Sequence, residues 1–285
     1  MRYGADYLWC LYSIGATSKD PNLASMAMEM GRERARAWLA ANSNVPIHPS
    51  AEVIEDLLFG AYAAECLGFP DIRLKNGIEQ AAAGFSARDF LGFDPAREAP
   101  PSNGRNRYDV WDDALIATST GDSYGVTLGA HYRDVLQWLP VMRPYADPRG
   151  RPLNDFYDTL YAITHLVYTL NGYGAYRLNP RWLPQEYAYL RKNLPLAIKL
   201  HDPETMGEFL DTLRAFGMTE ADPPIRKGLK FIMRTQNPDG SWGNSKDHDV
   251  YNRYHSTWTA IDGLREYNWH GERLSLPDLQ DLLTR

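Results

Sequence analysis

Apolar residues recur at three- and four-residue spacing through almost the whole chain, in runs that close near a glycine and restart after a polar turn. The closing glycines are Gly15, Gly68, Gly121, Gly172, Gly217 and Gly263, spaced 45 to 53 residues apart. Glycine just past a helix supplies a left-handed cap, so the series predicts six equivalent helix ends. Gly125 and Gly174 are alternative ends for the third and fourth repeats. Second helices are predicted after each turn, over 25–41, 75–90, 132–142, 183–200 and 224–235, mostly behind Pro or Asp start signals. Strand signals are almost absent, since Asp239-Gly240 follows a helical pattern and leads into Ser241-Trp242-Gly243.

This succession predicts an all-α chain of six helical hairpins. Closing them into a double ring, inner helices around a cavity and outer helices wrapping it, buries every hairpin without an exposed end. The expectation is therefore one α/α toroid domain over 1–285, with the Pro-rich polar stretch 93–107 as a loop over one mouth of the cavity.

Composition narrows the function classes. The net charge of −6 offers no basic footprint for a phosphate backbone, which speaks against nucleic acid as a partner. No apolar run approaches the length of a membrane span. Cys10 and Cys66 lie in apolar helical stretches and make no disulfide framework, and Asp6 stands where a signal peptide would begin its apolar core. Together these predict a soluble, cytoplasmic protein. The 18 Tyr and 8 Trp point to large packed surfaces or an aromatic-lined cavity for a small-molecule substrate.

One stretch resembles a known superfamily. Gln236-Asn-Pro-Asp-Gly240-Ser-Trp242 has the Gln-x-x-x-Gly-x-Trp pattern of the QW repeat of terpenoid cyclases and protein prenyltransferases, whose members are helical toroids. It is followed by Tyr254-His255 opening a helix toward Gly263, similar to the stretch in which prenyltransferase β subunits carry a zinc-binding His. The QW pattern implies a structural tie between an outer helix and the next turn. The catalytic motifs of that superfamily are missing: Asp109-Val-Trp-Asp112-Asp113 has the wrong spacing for Asp-x-Asp-Asp, no Asp-Asp-x-x-Asp occurs, and Leu210 stands where the zinc set has Cys.

Counting seven to nine residues back from each closing glycine brings His165, Glu208 and His255 to one level on successive inner helices. Two imidazoles and a carboxylate suit iron or zinc and leave coordination positions open. Asp211, three residues after Glu208, is an alternative ligand or a supporting partner. A His in an apolar helix is also a common hydrogen-bonded core residue, and that reading stands beside the metal one. Tyr161, Tyr168, Tyr254 and Trp258 lie a turn from these positions, and Asp109, Asp112 and Asp113 form the sharpest acidic cluster. Asp113, Tyr161 and Tyr254 are the candidate catalytic side chains. The leading expectation is a metal-dependent enzyme acting on a small, largely apolar or aromatic substrate, with iron-type redox chemistry preferred to zinc-assisted hydrolysis or lyase chemistry. The rivals are a carbohydrate-active hydrolase or lyase using Asp112 or Asp113 with Glu208, and a non-catalytic binding toroid. Gly121-Asp-Ser-Tyr-Gly125 matches Gly-x-Ser-x-Gly, but a helical pattern precedes it where a nucleophile elbow needs a strand.

Overall fold

Helix start signals in the sequence are used where they fall. The computed structural model describes residues 5–102 and 105–283, over which the chain is all-helical; its two β-bridges, Ser18 with Tyr267 and Arg177 with Glu272, are isolated. No helix among the described residues is long and apolar enough to cross a membrane. The described residues divide into two compact units, 5–16 with 22–169 and 17–21 with 170–283.

The first unit carries α1 (Asp6–Thr17), α2 (Pro21–Ala41), α3 (Ala51–Cys66), α4 (Ile72–Ala82), α5 (Ala87–Leu91), α6 (Arg107–Tyr124), α7 (Tyr132–Leu136), α8 (Leu139–Met142) and α9 (Leu153–Asn171), with the ends of α1 and α9 running into the second. Ser50 Oγ accepts from the Val53 N–H, Asp71 from Arg73 and Leu74, and Asn106 from Tyr108, so each side chain satisfies backbone donors that a helix start leaves open. Leu8, Ala35, Ala63, Ala64 and Leu67 pack together from α1, α2 and the end of α3, against Tyr7, Trp9 and Trp38. In α6 the buried Trp111 indole donates to Val135 O at 3.0 Å, tying α6 to α7. Of the predicted 93–107 loop, residues 93–102 and 105–106 are irregular and α6 begins at Arg107, while 103–104 lie outside the described residues; Trp138 and Gln137 both donate to Pro95 O at 2.8 Å and hold its start.

The second unit carries α10 (Pro184–Leu200), α11 (Pro203–Ala215), α12 (Pro223–Thr235), α13 (Val250–Leu264) and, after a 3-10 turn at Pro277–Leu279, α14 (Gln280–Leu283). Its tightest contact is α11 on α13, where Gly207 lies so close that an added Cβ would stand 2.3 Å from Thr259 O. The Trp242 turn closes α12: the buried indole donates to Ile232 O at 2.8 Å, the Trp242 N–H donates to Thr257 Oγ1 of α13 at 3.1 Å, and Gln236 Nε2 donates to Gly240 O at 2.9 Å. An end carbonyl of α12 thus finds its donor in the following turn.

The six glycines are not six equivalent helix ends. Gly68, Gly172 and Gly217 adopt the left-handed conformation, whereas Gly15, Gly121 and Gly263 lie inside α1, α6 and α13. α6 is capped by Gly125 instead, at φ 77. The interior three are glycine for lack of room: a Cβ on Gly121 would stand 2.7 Å from Val126 O, and one on Gly15 would meet Met28 at 2.5 Å. Counting back from Gly263 therefore starts inside a helix, while counting back from Gly172 and Gly217 starts at a cap.

Candidate functional site

In the first unit, α6 and α9 bring an acid to a histidine. Asp112 is 8% exposed, and its Oδ1 lies 3.0 Å from His165 Nδ1. The same nitrogen lies 2.9 Å from Tyr161 O, one turn back along α9. Neither a carboxylate nor a carbonyl oxygen can donate, so Nδ1 carries the proton and Nε2 is the basic nitrogen of the neutral ring. The single N–H is directed at Tyr161 O, which leaves Asp112 Oδ1 close to the ring but without a hydrogen bond. Tyr168 stands edge-on to the imidazole with centroids 5.6 Å apart; Tyr161 is tilted at 6.4 Å and stacks on Tyr157 at 6.1 Å.

Asp113, next to Asp112, turns outward. Its side chain is 60% exposed and accepts from Arg105 Nη2 at 2.5 Å, while Arg105 Nε donates to Asp109 at 2.6 Å. On α3, Glu55 is half-buried and its carboxyl is pushed up to about 7, by burial first and then by the charges of Asp113, Asp56 and Glu52.

In the second unit, α11 carries Glu204, Glu208 and Asp211 at i, i+4 and i+7, on one helical face. Glu204 Oε1 lies 3.2 Å from His255 Nδ1, and its Oε2 accepts from Ser256 Oγ at 2.8 Å. The His255 ring stacks on Tyr251 at 4.6 Å and meets Trp258 edge-on at 5.6 Å. Tyr254, half-buried, stands edge-on to Tyr251 at 5.5 Å. Glu208 is 1% exposed. Asp211 is buried beside Asp262, Arg265 and Tyr267; burial and then the Asp262 charge push its carboxyl up to about 7, against the pull of Tyr267, Arg265 and Arg214. Burial also raises Asp262, although Arg265 Nε donates to it at 2.6 Å. Arg265 Nη1 donates on to Thr17 Oγ1 at 2.9 Å and Ser18 Oγ at 3.2 Å, tying the 17–21 segment into this unit.

Of the expected metal donors, His165 thus belongs to the first unit and Glu208, Asp211 and His255 to the second. Among the described residues, no three His, Cys, Asp or Glu side chains are grouped so as to hold a metal ion. Each histidine is instead paired through Nδ1 with one acid. Sequence reasoning missed Glu204, Glu55 and Asp262. Glu204 was within reach, one turn before Glu208 on the same face. Glu55 and Asp262 went unmarked because burial, which is set by packing, is the largest cause of the raised carboxyl in each. Comparisons with protein-family models, with curated proteins and with solved structures find no match.

Proposed function

We propose that the protein is an enzyme, folded as an α/α toroid with the 93–107 loop over one mouth, that acts on a small, largely apolar or aromatic substrate by proton transfer at His165. The observation that carries this reading is the position of His165 Nδ1 against two acceptors, Tyr161 O and Asp112 Oδ1. That environment holds the ring in one tautomer, with Nε2 as the base, and places a carboxylate where it stabilises the imidazolium once the proton has been taken. The succession of helical hairpins and the Trp242 turn support the toroid. In a turnover screen of small aromatic esters, ethers and β-substituted carbonyl compounds, His165→Ala is expected to lower the rate about 10²–10⁴-fold with helicity retained. An active enzyme indifferent to that substitution would remove the reading.

A second reading keeps a divalent iron or zinc ion as cofactor. It is favoured by the carboxylate on Nδ1 of both histidines, since metal-bound imidazoles are usually oriented in this way. Elemental analysis of untagged protein separates the two: stoichiometric metal lost in His255→Ala supports the second, and full activity after exhaustive chelation rejects it.

A further inference from the structure

We propose that the outward face of α12 in the second unit, extended by α10, docks the protein on an anionic lipid bilayer, with Met233 entering between the headgroups. The charge of this face runs against the charge of the chain. Between Pro223 and Thr235 stand four cations, Arg226, Lys227, Lys230 and Arg234, and no acid, in a chain whose net charge is −6. All four are exposed. None forms an ion pair with a described residue, and Arg226 donates one N–H to Glu220 O at 3.1 Å. The nearest acids along the chain, Asp222 and Asp239, stand before and after the helix and accept from the Thr219 N–H and from Ser241.

Helix geometry gathers these charges. At about 100° per residue, Arg226, Lys227, Lys230, Met233 and Arg234 fall within an arc of about 120°. Ile225, Gly228 and Ile232 lie opposite and are buried. A Cβ on Gly228 would stand 2.8 Å from both Leu210 Cδ2 and Met206 Sδ, so α12 rests on α11 by that side and turns the cationic arc outward. α10 packs against both α11 and α12, and the His201 ring at its end lies 6.2 Å from Phe231. Its exposed charges are Arg191, Lys192 and Lys199, and its one acid, Glu186, is buried.

Met233 decides the kind of partner. It is 68% exposed among the cations, between Lys230 and Arg234. A nucleic-acid backbone would pair with the cations and leave the thioether in water, and Phe231, the aromatic ring of α12, is half-buried rather than presented to a base. A bilayer interface satisfies both groups, because lysine and arginine heads stay among the lipid phosphates while the apolar side chain leaves water. Cations spread over two adjacent helices, with no exposed acid in either, also suit a continuous anionic sheet better than a protein surface on which both signs are interspersed. This inference goes beyond the proton-transfer reading and does not rest on it.

Flotation of the full chain with vesicles tests it, comparing phosphatidylcholine alone with phosphatidylcholine containing about one third phosphatidylserine. The protein is expected on the anionic vesicles at about 0.1 M salt, at least about tenfold less on the neutral ones, and free of both at about 0.5 M salt. Each cation near such a surface contributes about fivefold, so Lys230→Glu with Arg234→Glu should lower binding at least about tenfold. Met233→Ser should weaken it severalfold at unchanged charge. Arg32→Glu with Arg34→Glu makes the same change of net charge on α2, where Glu29 and Glu33 lie among the arginines, and is expected to leave binding intact. All these positions are exposed, and circular dichroism checks the fold of each variant. No binding to anionic vesicles, equal binding to neutral ones, or equal loss in the two charge-reversed proteins would overturn the proposal. So would binding of a DNA duplex that is lost with Lys230→Glu and Arg234→Glu and untouched by Met233→Ser, which would assign the face to nucleic acid.

Discussion

Gly207 and Gly263 touch across α11 and α13: a Cβ added to Gly263 would stand 3.0 Å from the Gly207 Cα. On the other side, a Cβ on Gly207 would reach 2.3 Å from Thr259 O and 2.4 Å from Thr259 C, both backbone atoms that cannot rotate aside. Gly207→Ala must therefore push the two helices apart and is expected to cost about 1–3 kcal/mol or more, read as a lower urea midpoint. Gly84→Ala is the comparison, because its nearest contact is an ordinary 3.4 Å to Ala81 O; it should stay within about 0.5 kcal/mol.

Trp242 joins the end of α12 to α13 through its buried indole and its backbone N–H. Trp242→Ala should destabilise by about 3–5 kcal/mol. Trp242→Phe keeps most of the apolar contact but leaves Ile232 O without its donor, and should cost about 1–3 kcal/mol. Chemical denaturation ordering the three proteins otherwise would show that the turn does not depend on the indole.

The Asp211 carboxyl, pushed up to about 7, makes stability depend on pH with a definite sign. The folded state holds its proton more tightly than the unfolded chain does. The associated stability is present in full below the ordinary carboxylate range and is lost as pH rises through about 7. Asp262, also raised by burial, acts in the same direction. Denaturation midpoints should fall between pH 5 and pH 8, and Asp211→Asn, which mimics the protonated form, should flatten that fall. A midpoint rising over the same interval would mean that Arg265 and Arg214 hold Asp211 ionised.

His165 can be tested without any substrate. Long-range ¹H–¹⁵N correlation spectra at high pH should show its neutral ring with the proton on Nδ1, because both atoms facing that nitrogen are acceptors. Asp112→Asn should lower the pH at which the ring takes up its second proton, since the carboxylate favours the imidazolium. A ring protonated on Nε2 instead would contradict the arrangement around Asp112.

The all-helical character was legible in the chain because helix signals are local. Asp202 before Pro203 starts α11, Asp249 starts α13, Pro184 starts α10, and apolar spacing does the rest. The irregular backbone at 94–102 was legible for the same reason, since proline and polar residues there give no helical apolar spacing. The Gln236 to Trp242 turn was legible as a pattern, because donor and acceptors lie within eleven residues of one another.

The role of each glycine and the partner of each site residue were decided by tertiary structure. Gly217 and Gly263 look alike in sequence, yet one adopts φ 88 and the other lies in a helix against Gly207, a difference set by which helix passes nearby. Asp112 and Asp113 are adjacent and chemically identical, but about 100° of helical rotation turns one toward His165 and the other toward Arg105. Sequence by itself determined that Asp112, His165, Glu208 and His255 would lie on helices. Whether each was paired, buried or left exposed was determined by the approach of segments such as α6 and α9, whose Asp112 and His165 are 53 residues apart in the chain, and no periodicity within either segment encodes that approach.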